Sequence, residues 1–171
     1  ALMISAFAKA AQVFDKKKYI EVAESAVRFI LNNMTLPNGR LLHRYRNGKV
    51  DISGNLDDYA FFIAALLDVY ETTFSVEYLS KALEFNADLI NYFWDDKDGA
   101  FFFTATDSEK LLVRQKEIYD GAIPSGNSIA LMNLIRLYRF TGKSEFEDKA
   151  SQMIKTFSQS IKASPSAYAQ F

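Results

Sequence analysis

The chain has 171 residues, 49% of them hydrophobic, with 15 Phe, 9 Tyr and 1 Trp. That is one domain's worth of chain with ample core material, and the aromatic content excludes disorder. Twenty Lys and Arg against 21 Asp and Glu leave a net charge of −1, which gives no electrostatic footprint for nucleic acid or an anionic membrane. No apolar run reaches the ~18 residues a membrane span needs, and a cytoplasmic setting is expected. Cysteine is absent and His43 is the one histidine, so disulfides, thiolate metal sites and a His–His relay are excluded from this segment. No metal and no cofactor are expected.

Seven Gly and three Pro punctuate long helix-compatible blocks. In chain order these blocks are 2–14, 17–34, 56–72, 76–94, 125–140 and 145–161. Within the second, Tyr19, Val22, Ala23, Ala26, Ile30 and Met34 recur at spacings of three and four, the period of one helical face. Ser164-Pro165 carries the start signal of a seventh helix, Ser as N-cap and Pro at the first helical position.

Two stretches interrupt the helices. Residues 40–46 run into Asn47-Gly48 and then 49–52. Asn-Gly between extended runs predicts a β-hairpin, because a type I′ turn needs positive φ at both central residues. Residues 100–104 and 111–115 predict a second, longer hairpin across Asp107-Ser108-Glu109.

An internal repeat organises these elements. Leu66-Leu67-Asp68-Val69-Tyr70 matches Leu134-Ile135-Arg136-Leu137-Tyr138, and at the same offset of 68 Tyr78 matches Phe146 and Ala82 matches Ala150. Tyr19 and Ala23 match Tyr78 and Ala82 at an offset of 59. Each unit reads as helix, short turn, helix and β excursion, and such a unit buries its apolar face only by stacking on its neighbours. The fold class expected is all-α: three α-hairpins forming about half of an (α/α)6 toroid, with short β-hairpins between the helix pairs. Ala1-Leu2-Met3 opens without a cap and Tyr168-Ala169-Gln170-Phe171 stops one turn into a helix, so residues 1–171 are read as a fragment of a larger toroid domain. Its open ends are expected to expose apolar surface, met by the rest of its own chain or by self-association.

Several residues in these blocks carry a family resemblance. Leu56-Asp57-Asp58-Tyr59-Ala60, Phe101-Phe102-Phe103-Thr104 and above all Asp120-Gly121-Ala122-Ile123-Pro124-Ser125-Gly126-Asn127-Ser128 are similar to the C-terminal region of the thioredoxin-domain-containing, spermatogenesis-associated-protein-like family. Leu41-Leu42-His43-Arg44-Tyr45 and the opening residues 2–8 resemble it too. The resemblance implies a thioredoxin-like domain upstream and a six-hairpin toroid shared with N-acylglucosamine and cellobiose 2-epimerases and several glycoside hydrolases. It supplies a fold and a substrate class, a carbohydrate or other small polar ligand, and no mechanism.

The candidate site follows from the repeat register. At the offset of 68, Asp57, Asp58 and Tyr59 fall on Ser125, Gly126 and Asn127, all at the start of the first helix of their unit. Helix N-termini favour anions and polar groups. Asp57 and Ser125 read as N-caps, which leaves Asp58 the freer carboxylate. Paired carboxylates are what glycosidic cleavage requires, and the resemblance to the 2-epimerases implies a histidine as proton carrier. The candidate catalytic residues are Asp58, Asp57 and His43. The candidate ligand-binding residues are Tyr45, Tyr59, Asp120, Ser125 and Asn127, with Glu117 and Arg114 nearby.

Two motifs are set aside. Thr141-Gly142-Lys143-Ser144 imitates a phosphate loop, but Leu137 stands where its first glycine belongs. Asp96-Lys97-Asp98-Gly99 imitates a calcium loop, yet no Glu stands at its twelfth position, Ala105, so it reads as a Gly-ended turn. Two function classes stay open: a sugar-isomerising, epimerising or glycoside-hydrolysing domain, and a non-catalytic helical binding module attached to a thioredoxin-like domain.

Overall fold

The structure, a computed structural model, describes residues 1–109 and 112–171. Its helices are α1 (Leu2–Phe14), α2 (Lys17–Asn33), α3 (Leu56–Thr73), α4 (Val76–Phe93), α5 (Gly126–Thr141) and α6 (Ser144–Ala163). They pair as α1–α2, α3–α4 and α5–α6. Helices α1, α3 and α5 also pack side by side, in that order, so they form one row backed by α2, α4 and α6. None is long and apolar enough to cross a membrane among the described residues.

Position in this layer explains the sequence of each helix. The row's middle member, α3, has neighbours on several sides and buries Leu56, Tyr59, Ala60, Phe62, Ile63, Leu66, Leu67 and Val69, as an all-round apolar helix must. The backing helix α6 buries one stripe, Phe146, Ala150, Met153 and Phe157, and leaves its other faces polar. Tyr78 and Phe146 are both buried, as are Ala82, Ala150 and Ala23, so the residues matched by the repeat perform the same packing duty.

The first excursion is the hairpin expected. Strands β1 (Leu42–Arg46) and β2 (Lys49–Ser53) pair antiparallel, with Arg46 opposite Lys49 and Tyr45 opposite Val50. Asn47 and Gly48 both have positive φ, 51° and 74°, which is the type I′ requirement.

The second excursion is not a hairpin. Leu111, where its return strand was expected to begin, lies outside the described residues. Elsewhere the backbone donors of three successive residues go to three different places. Phe101 N–H donates to the Asn127 side chain (3.0 Å), Phe102 N–H to Phe93 O (2.8 Å) and Phe103 N–H to Gln115 O (2.7 Å). A ladder needs a single partner strand. Here an amide side chain from α5 and the end of α4 take two of the three bonds instead.

The start signal at Ser164-Pro165 yields one 3₁₀ turn, Pro165–Tyr168, and no further α-helix among the described residues. The two imitated motifs resolve as turns. Gly142 ends α5 in the left-handed region at φ 69°. Asp95 Oδ1 accepts the N–H groups of Lys97 and Asp98, and Gly99 closes that turn at φ 74°.

Candidate functional site

The start of α3 organises the site. Its N-cap is Asn55, not Asp57, and Asp58 is the third residue of a capping box, accepting the Asn55 N–H at 2.8 Å. The signal was Asn-x-x-Asp, the reciprocal pattern that satisfies two orphan donors at once. The duties read for the two aspartates are therefore exchanged. Asp58 belongs to the cap, and Asp57 is the carboxylate left over.

His43 reaches the same point from the hairpin. Gly54 N–H bonds to Leu41 O at 2.8 Å, which brings β1 back against the first turn of α3. His43 Nδ1 then lies 3.0 Å and 2.9 Å from the two Asp58 oxygens. A carboxylate on one ring nitrogen fixes the tautomer and orientation of the other. Asp58 thus links cap and imidazole.

Asp57 faces the other way, toward α5. Burial raises its pKa above the ordinary carboxylate value, and the neighbouring charges of Asp58 and Glu117 add to the rise, while the Gly126 backbone amide opposes it. A carboxyl so placed holds its proton at a higher pH than a solvated one.

His43, Asp57 and Asp58 line one cavity of about 550 Å³, whose remaining walls include Ile30, Met34, Leu41, Leu42, Phe61, Phe62 and Ile123. An apolar chamber with a few convergent polar groups is the usual form of a small-molecule site. Ile123 comes from the Asp120–Ser128 motif, so the hairpin, α3 and that loop all meet here. Among the described residues no cluster of His, Asp and Glu has the geometry to hold a metal ion.

The other candidates do not line this cavity. Tyr59 is fully buried, and its hydroxyl accepts from Arg40 Nε (3.0 Å) and Leu41 N–H (2.9 Å). Asn127 spends its side chain on Phe101 N–H, Phe101 O and Glu117 O. Ser125 caps α5 by accepting Ser128 N–H, while Asp120 accepts the N–H groups of Ser125 and Gln170. Tyr45 packs edge-on against Phe29 with ring centres 5.0 Å apart. Arg114 donates to the carbonyls of Thr104 and Tyr92.

Sequence reasoning missed Arg40. Its buried guanidinium pairs with Asp107 at 2.6 Å and stacks 3.9 Å over the Tyr92 ring. It pins the base of the hairpin to partners far along the chain, and no local pattern announces that.

No family model matches the chain. An uncharacterized protein of Caenorhabditis elegans is 38% identical over 174 residues, covering 97% of this chain and 24% of that protein. Spermatogenesis-associated protein 20 of Mus musculus is 33% identical over 176 residues, again 97% of this chain and 22% of that protein. The chain resembles spermatogenesis-associated protein 20. It spans roughly a quarter of the length of the curated relatives it matches, and the resemblance carried by the Asp120–Ser128 motif extends along nearly all of it.

Solved structures match the fold. D-mannose isomerase superposes with a TM-score of 0.74 at 17% identity over 94% of this chain and 40% of its own. The cellobiose 2-epimerase of Spirochaeta thermophila gives 0.72 at 18%, over 91% and 42%. A family 76 α-mannanase of Bacteroides thetaiotaomicron gives 0.69 at 14%, over 90% and 41%. At such identities the shared property is the fold: the three α-hairpins are an arc of an α/α toroid.

Proposed function

We propose that this arc carries part of a carbohydrate site in which His43 moves a proton and Asp57 serves as the acid. The observation that carries the reading is the His43–Asp58 contact inside the cavity that Asp57 also lines. Asp58 accepts a hydrogen bond from the Nδ1–H of His43 and so leaves Nε2 as the base. In an open-chain aldose that base removes the proton from C2, while Asp57 gives its proton to the carbonyl oxygen. The product is an enediol; returning the His43 proton to C1 while the Asp57 carboxylate takes the proton of the C2 hydroxyl completes an aldose–ketose isomerisation and restores both groups.

Returning a proton to the opposite face of C2 is epimerisation, which takes a second proton carrier. Hydrolysis fits the arrangement less well. It needs two carboxyl groups across a glycosidic bond, and Asp58 is committed to Asn55 and His43. The names of two fold neighbours, an isomerase and an epimerase, support the substrate class. The rest of the protein's own chain completes the toroid in this reading, and a thioredoxin-like domain lies upstream.

The test uses the full-length protein in D2O with D-mannose and with cellobiose. Deuterium entering at C1 of the ketose or at C2 of the aldose, followed by NMR, is expected for the wild type and should fall by a factor on the order of 10² or more in His43→Ala. Sugar binding without exchange in the wild type would instead support the non-catalytic binding module. Neither binding nor exchange would overturn the carbohydrate reading.

A further inference from the structure

Gly126, the first residue of α5, is buried and does not have a positive φ. Its backbone therefore does not require glycine. Space does: a Cβ on Gly126 would stand 2.3 Å from Asp57 Oδ1 and 2.8 Å from Leu56 Cγ. Gly39, Gly48 and Gly142 are the opposite case, with positive φ and nothing near. We propose that Gly126 is a positioning residue of the site, its bare α-carbon forming the slot in which the Asp57 carboxylate lies across the first turn of α5. The inference rests on the reading of Asp57 as the acid and names the residue that sets its orientation.

The surroundings decide which group must yield if the slot is filled. Ser125 is fixed by Asp120 and Ser128, and Asn127 by Phe101 and Glu117. Leu56 is buried, with its N–H bonded to Phe103 O at 2.9 Å. The Asp57 carboxylate, the end of a side chain held by the Gly126 amide, stands nearest to the added methyl. A methyl at position 126 turns it out of the slot and away from its place in the cavity. The charged groups that influence it from the packed elements are Asp58 on α3 and Glu117 on the loop before α5, with His43 on the hairpin beyond Asp58.

The experiment compares wild type, Gly126→Ala and Asp57→Asn in the full-length protein. The first readout is the 13C titration of the Asp57 carboxyl, identified by its loss in Asp57→Asn. Gly126→Ala should move that titration down toward an ordinary carboxylate. The second is the same deuterium exchange with D-mannose, which should drop roughly ten- to a hundredfold, as a displaced catalytic group does, with its pH profile moved the same way. If Gly126→Ala unfolds the protein, Asp57→Ala in the same chain removes the nearer clash and should restore part of the lost stability, the Leu56 contact remaining. An unmoved Asp57 titration, or no rescue by Asp57→Ala, overturns the proposal. A wild type without exchange overturns the isomerase reading alone, since the titration still reports on the slot.

Discussion

Asp68 and Arg136 occupy equivalent positions of successive repeats, 68 residues apart, and they pair with each other at 2.8 Å. Neighbouring helices of the row present matching positions to one another, so a residue and its repeat equivalent meet. Arg136 also reaches Glu71 at 3.0 Å. In a double-mutant cycle of Asp68→Asn and Arg136→Met, the coupling energy should be about 0.5–1 kcal/mol by thermal unfolding. Additive effects would mean that α3 and α5 are not in this register in solution.

The same register holds at the helix ends. Phe74 and Gly142 both end their helices in the left-handed region and donate their N–H to the carbonyls of Tyr70 and Tyr138. Phe74 does so at φ 56° with 78% of its surface exposed. Left-handed backbone costs a non-glycine residue roughly 1 kcal/mol, and little packing is lost on removing an exposed ring. Phe74→Gly should raise stability by about that amount, and Gly142→Ala should lower it, both read from melting temperatures.

Asp57 gives a pH dependence of definite sign. Its carboxyl is raised in the folded state, so the native protein binds the proton more tightly than the unfolded chain does. Stability from this group is greatest below the ordinary carboxylate pKa and is lost as pH rises from there through the raised value. Asp57→Asn should flatten that fall. Denaturant unfolding across the acid range measures it, and an equal slope in both proteins would contradict the half-buried placement.

The opposite sign applies to Asp95. Lys116 lies 2.6 Å away and, with the Lys97 and Asp98 N–H groups, holds its carboxyl below the usual value. The stability it contributes is present above the ordinary carboxylate pKa and is lost as pH falls through the lowered one. Both side chains are mostly buried. Lys116→Met should cost on the order of 1–3 kcal/mol near neutrality, with a smaller loss in acid.

Tyr59→Phe removes the acceptor shared by Arg40 Nε and Leu41 N–H. Two buried donors then lack a partner, at a cost of about 1–3 kcal/mol. Because Leu41 leads into β1, the His43–Asp58 contact should loosen as well. Thermal unfolding and the His43 ring resonances report the two effects.

The sequence by itself determined the helices, the first hairpin and the repeat, because helical periodicity, an Asn-Gly turn and a recurring pattern of buried Tyr, Phe and Ala are local consequences of backbone geometry. It also placed His43 near Asp57 and Asp58, because the first hairpin runs directly into the helix start that carries them. Only the tertiary structure decided their duties. Asp58 became a cap because Asn55 stood three residues earlier, and it became a partner of His43 because Gly54 folds the hairpin back onto α3. The second hairpin failed for a related reason: Asn127, 26 residues away from Phe101, took the backbone bonds a ladder would have used. Competition for donors and for space between distant segments leaves no periodic trace in the chain. Residues such as Arg40 and Gly126, whose roles are set by what approaches them, become legible only once the helices are packed.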